Sequence, residues 1–186
     1  MQSLNIKLQK EVIILDAITK FIEEYPAVKD ETFEELKKLA DEKNWVGISK
    51  AIELILNKDF DEAMDAVKDS LKSDNIDEKN IATLLWAQPA IFFIILLADS
   101  GGIKDERDVV LTIITIFKNM KGIYEKAAKN VGYMLTSYFL DYFTRNIEMK
   151  NIDEAIALIL LAREASKLTG DEKLMEEIEK IISELR

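Results

Sequence analysis

The stretch "NIATLLWAQPAIFFIILLADSGG", Asn80 to Gly102, carries no charge from Asn80 to Ala98, and it constrains the fold more than any other part of the chain. As a helix, these nineteen residues would be roughly 28 Å long, close to the hydrocarbon thickness of a bilayer. Pro89 interrupts the run. An interior proline removes a backbone hydrogen bond, clashes with the preceding turn at about 3 kcal/mol and turns Gln88 away from helical geometry. The expectation is therefore two short helices, the second from Pro89 to Ala98 being about 15 Å long, too short to cross a bilayer.

The flanks agree with a segment that does not span. Asp77, Glu78 and Lys79 on one side and Asp99, Lys104, Asp105 and Glu106 on the other show neither Lys/Arg asymmetry nor an aromatic belt. A segment apolar on every side is buried in the middle of a helical protein when other apolar segments can surround it. Two candidates exist. Val109 to Phe117 is uncharged, and Tyr138/Tyr142 and Phe139/Phe143 lie four apart on adjoining stripes of one helix. Pro89 to Ala98 is accordingly expected at the centre of the core.

The chain is long enough for one sizeable domain, expected over 1–186. Six glycines and two prolines leave too little turn material for a sandwich or barrel, which points to helices. A net charge of −10 argues against a groove that tracks phosphates, because that affinity comes largely from Lys and Arg. A basic partner, or none, fits better. Without cysteine or histidine there is no disulfide framework, thiolate site, Ser-His-Asp triad or Glu-x-x-His pair, leaving acid–base work to carboxylates, Lys and Tyr. The amino end has only a short apolar run, Val12 to Leu15, with Glu11 where a signal peptide would be uncharged, so a cytoplasmic location is expected.

Helix signals recur along the chain. Leu8, Val12, Leu15, Ile18 and Ile22 make one amphipathic stripe in a helix running from Leu4 and ending before Pro26. Thr32 and Glu35 have capping-box spacing, which starts a second helix at Phe33. Trp45, Ile48, Ala51, Ile52 and Ile55, then Phe60, Ala63, Met64, Val67 and Leu71, form the two stripes of a hairpin turning near Asn57 to Asp59. Asn75 opens the next helix, the glycines after Asp99 close it, and Asp105, Glu106 and Asp108 lead the one that follows. A longer helix spans Ile123 to Phe143, where Gly132 costs roughly 1 kcal/mol unless close packing requires it. Gly170 as C-cap and Asp171 as N-cap divide the last hairpin. The fold class is all-α: stacked antiparallel helices, about eight to nine, in an orthogonal array or a short α-solenoid.

"KDFDEAMDAV", Lys58 to Val67, and "KNIDEAIALI", Lys150 to Ile159, match at most positions, and "NIDE" recurs at Asn75 to Glu78. Asn or Asp before an acidic turn and Ala is also simply a good helix start. Both stretches resemble the second helix of a tetratricopeptide-type repeat, with Ala63 and Ala155 as the small residues set against the preceding helix. Ala51 suits that arrangement, whereas Phe143 departs from it, and the fixed period of roughly 34 residues is missing. The resemblance covers about a third of the chain. It implies stacked hairpins and a scaffold binding a partner peptide or protein.

No reaction is legible. Asp61 and Asp65 share a helix face, and Glu176 and Glu179 have the Glu-x-x-Glu spacing of some helical Mg²⁺ nucleotide hydrolases, but such spacing is common on solvated helices. No cofactor and no metal site are expected. "LADSGGIKDERD" lacks the G-x-x-x-x-G-K-[ST] pattern. Tyr124, Tyr133, Tyr138 and Tyr142 interleave with Met, Leu and Phe, which suits a core better than a base-stacking surface, and Trp45 and Trp86 lie among aliphatic residues. The functional expectation is a non-catalytic protein-interaction or adaptor module that self-associates or docks on a partner. Its candidate contact residues are Trp86, Phe92, Phe93, Tyr138 and Tyr142. The alternatives are a metal-dependent nucleotide hydrolase and a membrane-attached helical protein.

Overall fold

Apolar residues three or four apart recur through most of the chain, and helices form where they do. The computed structural model describes the backbone of residues 2–185 and the side chains of Gln9 and residues 12–185. Among the described residues there are nine α-helices, one 3-10 turn and no strand, an all-α fold as expected. The chain divides into two compact units, Met1–Ala90 and Ile91–Arg186.

Unit 1 contains α1 (Gln2–Glu24), α2 (Asp30–Lys43), α3 (Val46–Leu56), α4 (Phe60–Ala66), a 3-10 turn (Ser70–Lys72) and the first part of α5 (Ile76–Ser100). α1 stops before Pro26, but the stripe expected to pack is not the one that does. Val12 and Leu15 are more than half exposed and Ile18 and Ile22 half-buried, while Ala17, Phe21 and Tyr25 are buried. The side chains of Leu4 and Leu8 lie outside the described residues. The cause is aromatic: Phe21 meets Tyr25 and Phe33 edge-on, with ring centres 5.7 and 5.6 Å apart, and seating three rings outweighs aligning the aliphatic stripe.

α2 starts at Asp30, ahead of the expected Phe33, and Thr32 is buried in its first turn with no capping role. The Lys29 carbonyl already accepts the N–H groups of Thr32 and Phe33 at 3.0 and 3.3 Å, and Asp30 and Glu31 place negative charge at the helix's positive end. Trp45, Ile48, Ala51, Ile52 and Ile55 are all buried, and the α3–α4 turn falls at residues 57–59, as the sequence predicts. Gly47 lets the two helices approach: a Cβ there would lie 2.6 Å from the Ala66 carbonyl oxygen.

α4 is shorter than expected. Val67 is buried just past its end, and Leu71 falls in the 3-10 turn. Ser70 and Ser73 donate their hydroxyls to the Glu78 carboxylate at 2.8 and 2.6 Å, and local bonds of this kind compete with continuing a helix. The Asn75 side chain caps α5, accepting the Glu78 N–H at 3.1 Å.

α5 runs through Pro89 as one helix, where two short helices were expected. The proline's cost of about 3 kcal/mol is outweighed because each flank is pinned by burial worth roughly 1.5–3 kcal/mol per large side chain. Ile81, Leu84 and Leu85 are buried on the first side, and Ile91 and Ile94 on the second. The boundary between the units falls inside this helix, after Ala90. Buried residues lie on both sides of that boundary. α5 ends as expected: Gly101 sits at φ +72°, with Gly102 N–H to Leu97 O at 2.9 Å and Gly101 N–H to Ala98 O at 3.3 Å.

Unit 2 contains the remainder of α5, α6 (Arg107–Met120), α7 (Glu125–Glu148), α8 (Ile152–Thr169) and α9 (Glu172–Glu184). Its central helix is α8, not the segment from Pro89 to Ala98. Leu158, Ile159, Leu161, Ala162, Ala165 and Leu168 of α8 are all buried, whereas Phe92, Phe93 and Leu96 of α5 reach the surface. Small residues let α7 lie close along α8. A Cβ on Gly132 would stand 2.7 Å from Leu168 Cβ and 3.1 Å from Thr169, so Gly132 meets the far end of α8 and the pair is antiparallel. α7 also runs past the expected Phe143, to Glu148.

α6 runs parallel to α8: Lys104, just ahead of α6, pairs with Asp153 at 3.2 Å, and Lys118 with Glu164 at 2.9 Å. Glu154 is buried and accepts the N–H groups of Ile103 and Lys104 at 2.9 and 2.8 Å, satisfying the loop after α5. Gly170 is left-handed at φ 69°, and Asp171 accepts the Leu174 N–H at 3.1 Å, both as the sequence predicts.

Gly132→Ala should cost about 2 kcal/mol, because the backbone and β-carbon of α8 cannot turn aside as a side-chain tip could. Gly122→Ala, which meets no atom within 4 Å, should change stability by less than about 0.5 kcal/mol. Urea denaturation of the two variants beside the wild type measures this; equal effects would show that α7 and α8 are not held so closely.

Candidate functional site: the outer face of α5 in unit 2

Four of the five expected contact residues belong to unit 2. Phe92 and Phe93 are 37% and 39% exposed on α5, Tyr138 is 40% exposed on α7, and Tyr142 is half-buried. Trp86 is half-buried in unit 1. The sequence reading missed Leu96, 51% exposed, which completes a triangle with Phe92 and Phe93 at helical spacings of three and four. The signal was present in the register: Phe92, Leu96 and Asp99 stand at i, i+4 and i+7 on one face.

Asp99 leads from this face into a cleft of about 560 Å³, whose lining includes Gly101, Tyr142, Arg145, Glu148 and Met149. The last turns of α5 and α7 both end here, and the C-terminal end of a helix carries partial negative charge. The Tyr142 hydroxyl donates to Asp99 at 3.1 Å; burial, and then this bond, push its pKa up. Arg145 lies 5.1 Å over the Tyr142 ring and pairs with Asp141 at 2.6 Å. Asn146, buried beneath, donates to the Tyr142 carbonyl and accepts from Asn151, which holds the wall in place.

The tyrosines depart from the expectation of core positions. Tyr124 is buried, but Tyr133 and Tyr138 are exposed. A tyrosine ring can lie along apolar surface with its hydroxyl outward, and Tyr133 does so by donating to Asp171 at 3.1 Å. Trp45 is buried, as its aliphatic neighbours suggest.

Among the described residues no group of three or more Asp or Glu side chains could hold a metal ion. Asp65 pairs with Lys68, and Glu179 lies 3.8 Å from Arg163. The most perturbed carboxylate is Glu164. Burial raises its pKa, but hydrogen bonds from Lys167 and Lys118, at 2.7 and 2.9 Å, with their charges, outweigh that and hold it at about 2. A group so held is ionised at neutral pH and serves as an ion-pair hub between α6 and α8, not as a general acid.

α5 is long and apolar enough to cross a membrane by length and composition, with a mean hydropathy of 2.2 in its most apolar window, yet 56% of that window is buried within the protein. Comparisons with protein-family models, with curated proteins and with solved structures find no match.

Because the folded pKa of Glu164 lies below its ordinary 4.5, its contribution is present above pH 4.5 and is lost as pH falls toward 2. Glu164→Gln should lower stability at pH 7 by about 1 kcal/mol. The gap to wild type should close between pH 4.5 and 2. Thermal unfolding across that range tests this; a gap unchanged at pH 2 would mean that packing, not charge, is what was lost.

Proposed function

We propose that the chain is a non-catalytic interaction module that docks on a protein partner and also self-associates. The observation that carries this is the exposed triangle of Phe92, Phe93 and Leu96, large apolar side chains left in water on a helix that buries Ile91, Ile94 and Ala98 in the same turns. In unit 1, Val12, Ile13 and Leu15 of α1 are also exposed. A groove on α1 lined by Ile13, Ile14, Ala17 and Leu39 is rimmed by Glu35, Lys38 and Glu42, so Lys38 of one copy can meet an acid of the other; we assign self-association to this face. The buried Ala51, Ala63 and Ala155 are compatible with the tetratricopeptide-like stacking of hairpins.

A second reading, attachment to a membrane, has the hydropathy of α5 in its favour. It requires buried residues of that helix to leave the protein core, at roughly 1.5–3 kcal/mol for each large side chain before any gain from lipid.

Sedimentation equilibrium tests self-association. The mass should exceed the single-chain 21.3 kDa increasingly with concentration. Ile13→Ser with Ile14→Ser should return it to one chain, and Phe93→Ser with Leu96→Ser should not. A wild-type mass fixed at one chain at every concentration removes self-association from the reading. Turnover of a substrate that disappears when one carboxylate is replaced would displace the module reading altogether.

A further inference from the structure

We propose that the outer face of α5 in unit 2 and the cleft at its C-terminal end form one docking surface, and that its occupant is a basic amphipathic helical segment of a partner protein. This rests on the reading of the chain as an interaction module and adds the chemistry of the partner.

Apolar area alone is too small to do the work. Phe92, Phe93 and Leu96 together present on the order of 250 Å² of surface. Burying that area offsets only part of the translational and rotational freedom lost on association. The contact therefore has to extend beyond the triangle. One helical turn further along the same face stands Asp99, and beyond it the cleft of about 560 Å³.

Acids outnumber free cations in that extension. Asp99 and Glu148 line the cleft, and the C-terminal ends of α5 and α7 converge on it. The one cationic side chain of the lining, Arg145, is engaged by Asp141 and the Tyr142 ring. Beyond the cleft, the turn into α6 carries exposed Asp105, Glu106 and Asp108 beside two cations, Lys104, which pairs with Asp153, and Arg107, so acids exceed cations there by one. The complement is a segment whose apolar side chains cover Phe93 and Leu96 and whose Lys or Arg, one to two turns on, enters the cleft. A helix does this with apolar residues at i, i+3 and i+4 and a cation near i+7 or i+8.

The same charges disfavour the other occupants. Two copies meeting through this face would oppose Asp99 and Glu148 with their own counterparts, each chain carrying a net charge of −10. An anionic lipid surface would be repelled in the same way.

The test uses the full chain and two synthetic amphipathic helices of about 18 residues with the same leucine face, one with lysine and the other with glutamate on the polar face. Fluorescence anisotropy of the labelled peptides should show binding of the lysine peptide, weakening as salt rises, and at least about tenfold weaker binding of the glutamate peptide. Phe93→Ser with Leu96→Ser, and separately Asp99→Asn with Glu148→Gln, should each weaken the lysine peptide at least about tenfold. Glu176→Gln with Glu177→Gln, the same loss of charge on exposed α9 positions, should leave it unchanged. Circular dichroism confirms that each variant is folded.

Equal weakening by the α9 variant would mean that net charge, not the cleft, attracts the peptide, and would overturn the proposal. Equal binding of both peptides, lost in the Phe93/Leu96 variant, would overturn it while leaving α5 a docking surface. No binding of either peptide, with sedimentation also showing one chain, would overturn this proposal and the module reading together. Binding to phosphatidylglycerol vesicles that the Phe93/Leu96 variant loses, with neither peptide bound, would overturn it in favour of a lipid surface.

Discussion

The approach of α7 to α8 at Gly132 is the contact on which unit 2 depends. With no side chain at that position, the backbone of α7 lies against Leu168 and Thr169 at the end of α8. Packing at this distance multiplies dispersion contacts that are individually only about 0.1–0.2 kcal/mol. α8 is also packed by α6 and α9. Glu154 follows from this: a carboxylate in the first turn of a central helix can reach the N–H groups of Ile103 and Lys104, so the loop leaving α5 is fixed by the same helix that fixes α7.

Features decided within a few residues were legible in the sequence. Gly170 and Asp171, Asn75, and the glycines closing α5 act on backbone groups beside them, so composition and spacing suffice. Features decided by distant partners were not. Nothing near Val12 or Leu15 indicates that α1 turns its Phe21 line inward, because the reason is Phe33 on another helix. Glu154 looked like an ordinary first-turn acid, and its partners lie some fifty residues away. Likewise the start of α2 was misplaced because Thr32 has the spacing of a cap but is needed as a buried residue.

The uncharged run illustrates the limit of hydropathy as a guide. A stretch apolar on every side reads as either a membrane span or the centre of a core, since both environments accept all faces of a helix. In α5 the run crosses the boundary between the units, and Pro89 is tolerated within it because large side chains are buried on both sides of it. The surplus appears as Phe92, Phe93 and Leu96 at the surface. Three of the residues legible as contact candidates from their aromatic character, Phe92, Phe93 and Tyr138, are indeed exposed; Leu96 and Asp99, which give the face its extent and its charge, needed only the helical register to be found.

That charge gives the surface a direction. An isolated apolar patch accepts any greasy partner, so its selectivity is low, and in a crowded solution it is as much a hazard as a function. A neighbouring acidic cleft changes this by imposing a cost on acidic partners and on second copies, as like charges across an interface discriminate more sharply than additional apolar contact can. Asp99 is well placed for that role because its position is fixed twice, by the last turn of α5 and by the Tyr142 hydroxyl, so a cation entering the cleft meets a carboxylate already held in place.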